Sequence, residues 1–245
     1  MNGIQLRTFA IFFALLNIHS INAQLSKVHY IPPIAAHPAT NSNAYPRDQY
    51  IYISTPSNFD VSYSIQPVGS LPSSYISGVV SNTSPNVHFI GEGSTNFAIV
   101  NSDFYGGRVL DDKGYIITSE SPIYVAVRLR ASSRNGGNFP QAGALVSKGL
   151  SALGTSFRTG TFTSDNPDFG SGANYLNFIS IMATENDTNV IFDNLDKRLI
   201  LKNIASPPGV GTFSLTTNLS KGETYLISAE AEDVEENEGG LIGIS

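Results

Sequence analysis

From Asp48 onward, apolar and polar residues alternate in short runs separated by turn formers. Tyr50-Ile51-Tyr52-Ile53 leads into the turn Pro56-Ser57-Asn58 and then into Val61-Ser62-Tyr63-Ser64-Ile65. Successive side chains of a strand point to opposite faces, so a two-residue period marks a strand with one buried face. Runs at 87–90, 97–100, 108–110, 115–118 and 123–129 follow at short intervals, with Gly, Asn, Asp or Pro in each gap. The best helical stretch, 142–153, is interrupted by Gly143, Gly149 and Ser151, each of which lowers helix stability. The pattern predicts an all-β protein: a β-sandwich of jelly-roll or Ig-like type, with a β-barrel or propeller-like arrangement as the alternative.

The pattern also recurs. The segment from Tyr52 to Tyr63 aligns without a gap to the segment from Ile181 to Phe192: apolar strand, Thr, turn residues, then a strand led by Val and closed by an aromatic. Thr95-Asn96-Phe97-Ala98-Ile99 matches Glu223-Thr224-Tyr225-Leu226-Ile227, and Gly114 to Ser119 matches Gly240 to Ser245. Two β units are therefore expected, at 48–135 and 173–245, joined by a Gly/Ser-rich connecting segment with short strands at 136–172. In the first unit, Pro122-Ile123-Tyr124-Val125-Ala126-Val127 continues past the matched block. The second unit stops at Ser245, and it is expected to lack that last strand and to be a fragment of a longer protein.

Ahead of the first unit, 24–47 (rich in Pro, Asn and Ser toward its end) reads as an extended leader. Residues 1–23 read as a Sec-type signal peptide: Arg7, an apolar run from Thr8 to Leu16, and the small-residue site Ile21-Asn22-Ala23. That run is too short to cross a bilayer, which needs about 20 apolar residues. The expected location is secreted or at the outer cell surface.

Composition narrows the function classes. The chain carries a net charge of −6, and six of its acids fall together: Glu230, Glu232, Asp233, Glu235, Glu236 and Glu238. There is no basic stripe of the kind nucleic acid demands. The chain has no cysteine, hence no disulfide framework and no thiolate metal site.

Candidate chemistry is sparse. Of the histidines past the signal peptide, His29 and His37 fall in the extended segment, and His88 sits in a strand between Val87 and Phe89. Ser151 lies in Gly149-Leu150-Ser151-Ala152-Leu153-Gly154, but a nucleophile elbow needs Gly two residues either side of the Ser, and no histidine follows it. Asp111, Asp112, Asp165 and Asp168 are paired carboxylates by type, all in turns where Asp is favoured locally. The run from Glu230 to Glu238 lacks the spacing of an EF-hand and reads as a solvated loop. Asp187 reads as a turn former, and Asn82, Asn186 and Asn218 open glycosylation sequons. No catalytic, cofactor-binding or metal residue is assigned, and the chain is expected not to be an enzyme.

Three blocks carry a family resemblance. Pro140-Gln141-Ala142-Gly143-Ala144-Leu145-Val146-Ser147-Lys148-Gly149, Ser151-Ala152-Leu153-Gly154-Thr155-Ser156-Phe157-Arg158 and Ala183-Thr184-Glu185-Asn186-Asp187-Thr188-Asn189-Val190 resemble the N-terminal domain of the IgGFc-binding protein family. The opening Gln24-Leu25-Ser26-Lys27-Val28-His29-Tyr30-Ile31-Pro32-Pro33 is similar to the start of its bacterial members. The resemblance implies a large secreted Bacteroidota protein, exported by type 9 secretion, with a gliding-motility-associated sorting domain beyond residue 245. It implies an extracellular binding or adhesive role toward a protein or glycan. It supplies no residue-level Fc-binding motif. The expectation is a non-catalytic adhesion module; the alternatives are a carbohydrate-binding or glycoside-acting domain and a structural spacer.

Overall fold

A computed structural model of the chain describes residues 24–36, 45–93, 96–132, 141–160, 176–230 and 241–245. The fold is all-β, and among the described residues every strand ladder but one short parallel pair is antiparallel.

The first unit is organised around β9 (Tyr115–Ser132), a strand of 18 residues. Its first half lies between β4 (Val61–Pro67) and β1 (Ser26–Ile31), with Ile117 opposite both Ile65 and His29. Its second half lies between β3 (Tyr45–Ser54) and β10 (Gln141–Val146), with Val127 opposite both Ile51 and Leu145. β5 (Ile76–Val80) pairs with β4, and β6 (Asn86–Gly91) pairs with β3. Two arms of one seven-stranded sheet thus share β9, and the sheet is nearly closed and barrel-like.

The arms face each other across a single core. Ile51, Ile53, Val125 and Val127 come from one arm; Val61, Tyr63, Ile65, Val80 and Ile117 come from the other, and Ile123 lies where β9 passes between them. Burying each such aliphatic side chain contributes about 1.5–3 kcal/mol, so this layer is the main source of stability in the unit.

The runs 115–118 and 123–129, separate in the sequence pattern, form one strand. Pairing with β4 ends at Ser119 and pairing with β3 begins at Tyr124. The N–H that Pro122 lacks therefore falls between those two ladders, where a proline is tolerated. Its carbonyl accepts a hydrogen bond from Thr55 Oγ1 at 3.0 Å.

Much of the extended leader expected over 24–47 is instead strand: β1 and the start of β3 join the seven-stranded sheet, and β2 (Ile34–Ala36) joins a separate two-stranded one. β1 pairs with β9, β2 runs parallel to β7 (Ile99–Asn101), and β3 already starts at Tyr45. Ile31 and Ala35 are buried. The sequence signal failed because β1 turns Ser26 and His29 inward, which erases the apolar alternation.

The second unit contains β11 (Leu176–Met182), β12 (Thr188–Asp196), β13 (Thr212–Leu219) and β14 (Thr224–Glu230). β11 pairs with β14 and β12 with β13. This repeats the first unit, where β3 pairs with β6 and β4 with β5. The core here is Phe192, Leu195, Leu199, Leu219, Tyr225, Ile227, Leu241 and Ile244.

Two details of the sequence alignment are corrected. The strand matching β14 is β6, not the run at 97–100, which overlaps β7. The gapless alignment also slips by one residue before the turn. Ile179 and Ile181 pack on the second core as Ile51 and Ile53 face the first, so Ile53 corresponds to Ile181 and not to Met182. A one-residue slip moves every side chain to the other face, which is why burial, not letter matching, sets the register.

The units also meet. β8 (Val109–Leu110) lies outside the seven-stranded sheet and pairs with β14. Ala35, Val100, Leu110 and Leu226 form a small shared cluster. A single helical turn, α1 (Ser102–Tyr105), is capped by Asn101 Oδ1, which accepts from the Asp103 N–H at 2.9 Å. The Gly107 N–H donates to the Leu226 carbonyl, and Lys202 Nζ lies 3.1 Å from Asp103.

Candidate binding face

Strand alternation in β3 sends Ile51 and Ile53 inward, leaving Tyr50 and Tyr52 on the outer face of the sheet. Register then builds rows across that face. Tyr50 is opposite Phe89 on β6 and Arg128 on β9; Tyr52 is opposite Val87 and Ala126. β10 continues both rows, with Ala144 opposite Arg128 and Val146 opposite Ala126. Tyr124 lies opposite Ser54 one step further along.

The geometry is fixed by edge contacts. The Tyr50 ring meets Phe89 at 5.6 Å and Tyr52 at 6.2 Å between centroids, both T-shaped. The Arg128 guanidinium lies 4.6 Å from the Tyr52 ring centroid. Aromatic pairs of this kind contribute about 0.5–1.5 kcal/mol beyond area burial, and an exposed cation–π contact about 0.5–1 kcal/mol. At one end of the face Arg130 forms an ion pair with Asp48, whose hydrogen bond raises the guanidinium further above its ordinary value.

Phe89 remains 57% and Val87 52% exposed. A contiguous apolar patch on a sheet face, held rigid by its own neighbours, is the usual physical signature of a contact surface. Charge at this face is concentrated in Arg128, Arg130 and Asp48, so the chemistry offered is apolar contact with a cationic edge.

The residues singled out from sequence do not converge. His29 is fully buried: its Nε2–H donates to the carbonyls of Ile123 at 3.1 Å and Ser26 at 3.2 Å, so Nδ1 accepts from the Ser147 hydroxyl at 2.9 Å. Burial lowers its pKa, against the two carbonyl contacts that raise it. Ser147, to which no sequence pattern pointed, also accepts from the Gly149 N–H. Gly149 has φ +55, and a Cβ there would overlap Ser26, so only glycine closes this clamp between β1 and the turn after β10.

His88 shares a 2.6 Å hydrogen bond with the Tyr63 hydroxyl. Burial lowers the imidazole pKa and raises that of the phenol, so the neutral ring accepts from O–H. Ser151 is exposed on the 3₁₀ turn Gly149–Ala152. Asp112 pairs with its neighbour Lys113 at 2.9 Å, and Asp111 lies beside it in the same turn.

Asp187 occupies the turn between β11 and β12 with φ 56, a conformation Asp tolerates better than most residues. Asn82, Asn186 and Asn218 are all exposed. His37, Asp165, Asp168, Glu232, Asp233, Glu235, Glu236 and Glu238 lie outside the described residues, and Glu230 ends β14. Among the described residues no three His, Cys, Asp or Glu side chains gather as a metal cluster, and no helix is long and apolar enough to cross a membrane.

No protein-family model, curated protein or solved structure matches the chain.

Proposed function

We propose that the chain is a non-catalytic binding or adhesion module of a secreted or cell-surface protein, and that the outer face of β6, β3, β9 and β10 is its contact surface. The observation that carries the reading is the exposed row Phe89–Tyr50–Arg128 with Tyr52 and Val87 beside it. Aromatic residues and Arg are the side chains enriched at the centres of protein interfaces. Export is supported by the charge, apolar run and small-residue order of residues 1–23. The resemblance of the central blocks to the IgGFc-binding protein N-terminal domain supports the same extracellular role.

The neighbouring ring planes stand at 63° and 64° to Tyr50. Such a face presents ring edges more than one flat platform, which favours a protein surface over a stacked sugar. The test is to screen the folded chain against immobilised extracellular-matrix proteins and a glycan array, then repeat the strongest signal with Phe89→Ser and Arg128→Glu. Saturable binding to a protein, lost in both variants without loss of fold, is the expected result. Binding unchanged in both variants, or hydrolysis of a polysaccharide panel by the purified chain, would overturn the proposal.

A further inference from the structure

The seven-stranded sheet has an open edge at β10. This strand pairs with β9 on one side, and among the described residues no strand lies along its other side. Residues 142–146 are all exposed, Leu145 at 41% and Val146 at 43%. Edge strands commonly carry a charge, a proline or a bulge that discourages further pairing. Ala142-Gly143-Ala144-Leu145-Val146 has no charge and no proline, and its register against β9 is continuous.

Ladder geometry fixes which backbone groups this edge offers. The Ser147 N–H donates to the Val125 carbonyl at 2.9 Å, which continues the β10 ladder by one residue. Bonded and non-bonded positions alternate along an antiparallel pair. Gly143 and Leu145 therefore turn their backbone groups to β9. Ala142, Ala144 and Val146 turn theirs outward.

We propose that this edge pairs with the same edge of a second copy of the chain, antiparallel about a two-fold axis at Ala144. Ala144 then lies opposite Ala144 of the partner subunit, and Ala142 lies opposite Val146 of the partner subunit. Every outward N–H and carbonyl of the three positions finds its complement. Between these pairs, Leu145 of one copy stands beside Gly143 of the other, at the non-bonded spacing where side chains come closest.

Gly143 leaves room for that neighbour. A Cβ there would meet nothing within 4 Å, and the residue lines a cleft of about 300 Å³ with Ile34, Ala36, Ile99 and Leu129. Leu145 shares the face of buried Val127, its partner on β9, and covers its own exposed surface against this cleft in the second copy. On the other face Val146 meets only Ala142. Each larger side chain thus meets a small one, a match that the strand makes with itself and that an unrelated strand has no reason to share. The axis stands perpendicular to the sheet, so the outer faces of both copies point the same way. The pairing does not depend on what that face binds.

The test is sedimentation velocity of the purified chain over a range of concentrations, with substitutions along β10. Ala144→Pro removes only an outward N–H, which an edge strand tolerates. It should leave the circular dichroism spectrum unchanged and weaken dimerisation at least about tenfold. Gly143→Ile fills the space that Leu145 of the partner subunit takes and should weaken it likewise, so the test survives if the proline variant fails to fold. The chain has no cysteine, so a single introduced thiol reports the register. Ala144→Cys places the two Cα atoms about 5.5 Å apart, within disulfide reach on mild oxidation. Ala142→Cys leaves its two copies about 14 Å apart and should cross-link at least about tenfold more slowly. A chain that stays monomeric at every concentration would overturn the proposal. So would dimers indifferent to both Ala144→Pro and Gly143→Ile, or equal cross-linking of the two cysteine variants.

Discussion

The first unit is tied together by a strand that two arms share, whereas among the described residues the second has the same strand pairs without a shared strand. In the first, aliphatic residues from both arms are sealed to complete burial: Ile51, Ile65, Ile117, Ile123 and Val125 all have no exposed surface. In the second, β14 is buried almost throughout, while β11 beside it is half-exposed along its whole length. Similar apolar content yields different burial, so how deeply a strand is buried here depends on what packs around it more than on its own composition.

The largest expected effect lies at the centre of the tie. Val125→Asp buries an unpaired carboxylate and should cost about 3–5 kcal/mol. Ile181→Asp, at the equivalent strand in the second unit, has solvent within reach and should cost about 1–2 kcal/mol. Urea titration followed by circular dichroism measures both. Equal costs would erase the contrast between the units.

Next comes close packing within the first unit. A Cβ on Gly78 would overlap the Tyr63 hydroxyl, so Gly78→Ala should destabilise by about 1–3 kcal/mol through displacement of the ring from His88. Adding Tyr63→Phe should recover part of that loss, because it removes the overlapped oxygen. A double variant no better than the single one would place the clash elsewhere.

Acid should separate the units further. The described histidines, His29 and His88, both belong to the first unit, and 173–245 contains none. Both have pKa values lowered by burial from an ordinary 6.5. The unfolded chain thus binds these protons more readily. Their contribution is fully present above pH 6.5 and is lost as pH falls below it toward the lowered folded values.

In the second unit the contact with Arg198 holds Asp196 down to about 2, and the hydrogen bond from Ser214 lowers Asp193. Those carboxylates respond only as pH falls below the ordinary 3.8. Hydrogen exchange between pH 7 and 4.5 should therefore show the β1 and β6 amides weakening first. Simultaneous weakening of β12 would contradict this.

The smallest effect concerns the outer face. A double-mutant cycle on Tyr52→Leu and Arg128→Met should return a coupling of about 0.5–1 kcal/mol. A coupling indistinguishable from zero would mean that the face is not held rigid by this contact.

Much of the fold was legible where one face of a strand is apolar and the other polar. β3 and β4 follow that rule, and the recurrence of their turn in β11 and β12 exposed the repeated unit. The signal failed where inward positions are polar, as with Ser26 and His29 in β1, and where a short strand such as β2 borrows its partner from far away. The proline within β9 read as a break because local sequence does not reveal that a strand changes partners there. The outer face was harder still. Tyr50, Tyr52, Val87, Phe89 and Arg128 are ordinary as letters, and only cross-strand register assembles them into one patch.

The placement of β9 also sets the order in which the chain can fold. β1 finds its partner about 90 residues later, with Val28 against Thr118, and β3 and β4 also wait for the same strand. As the polypeptide emerges from the ribosome, its early strands have no lasting shelter until β9 is made. Such distant pairings are slow to close, so assembly of this half should be late, abrupt and sensitive to any pause in synthesis before Ser132.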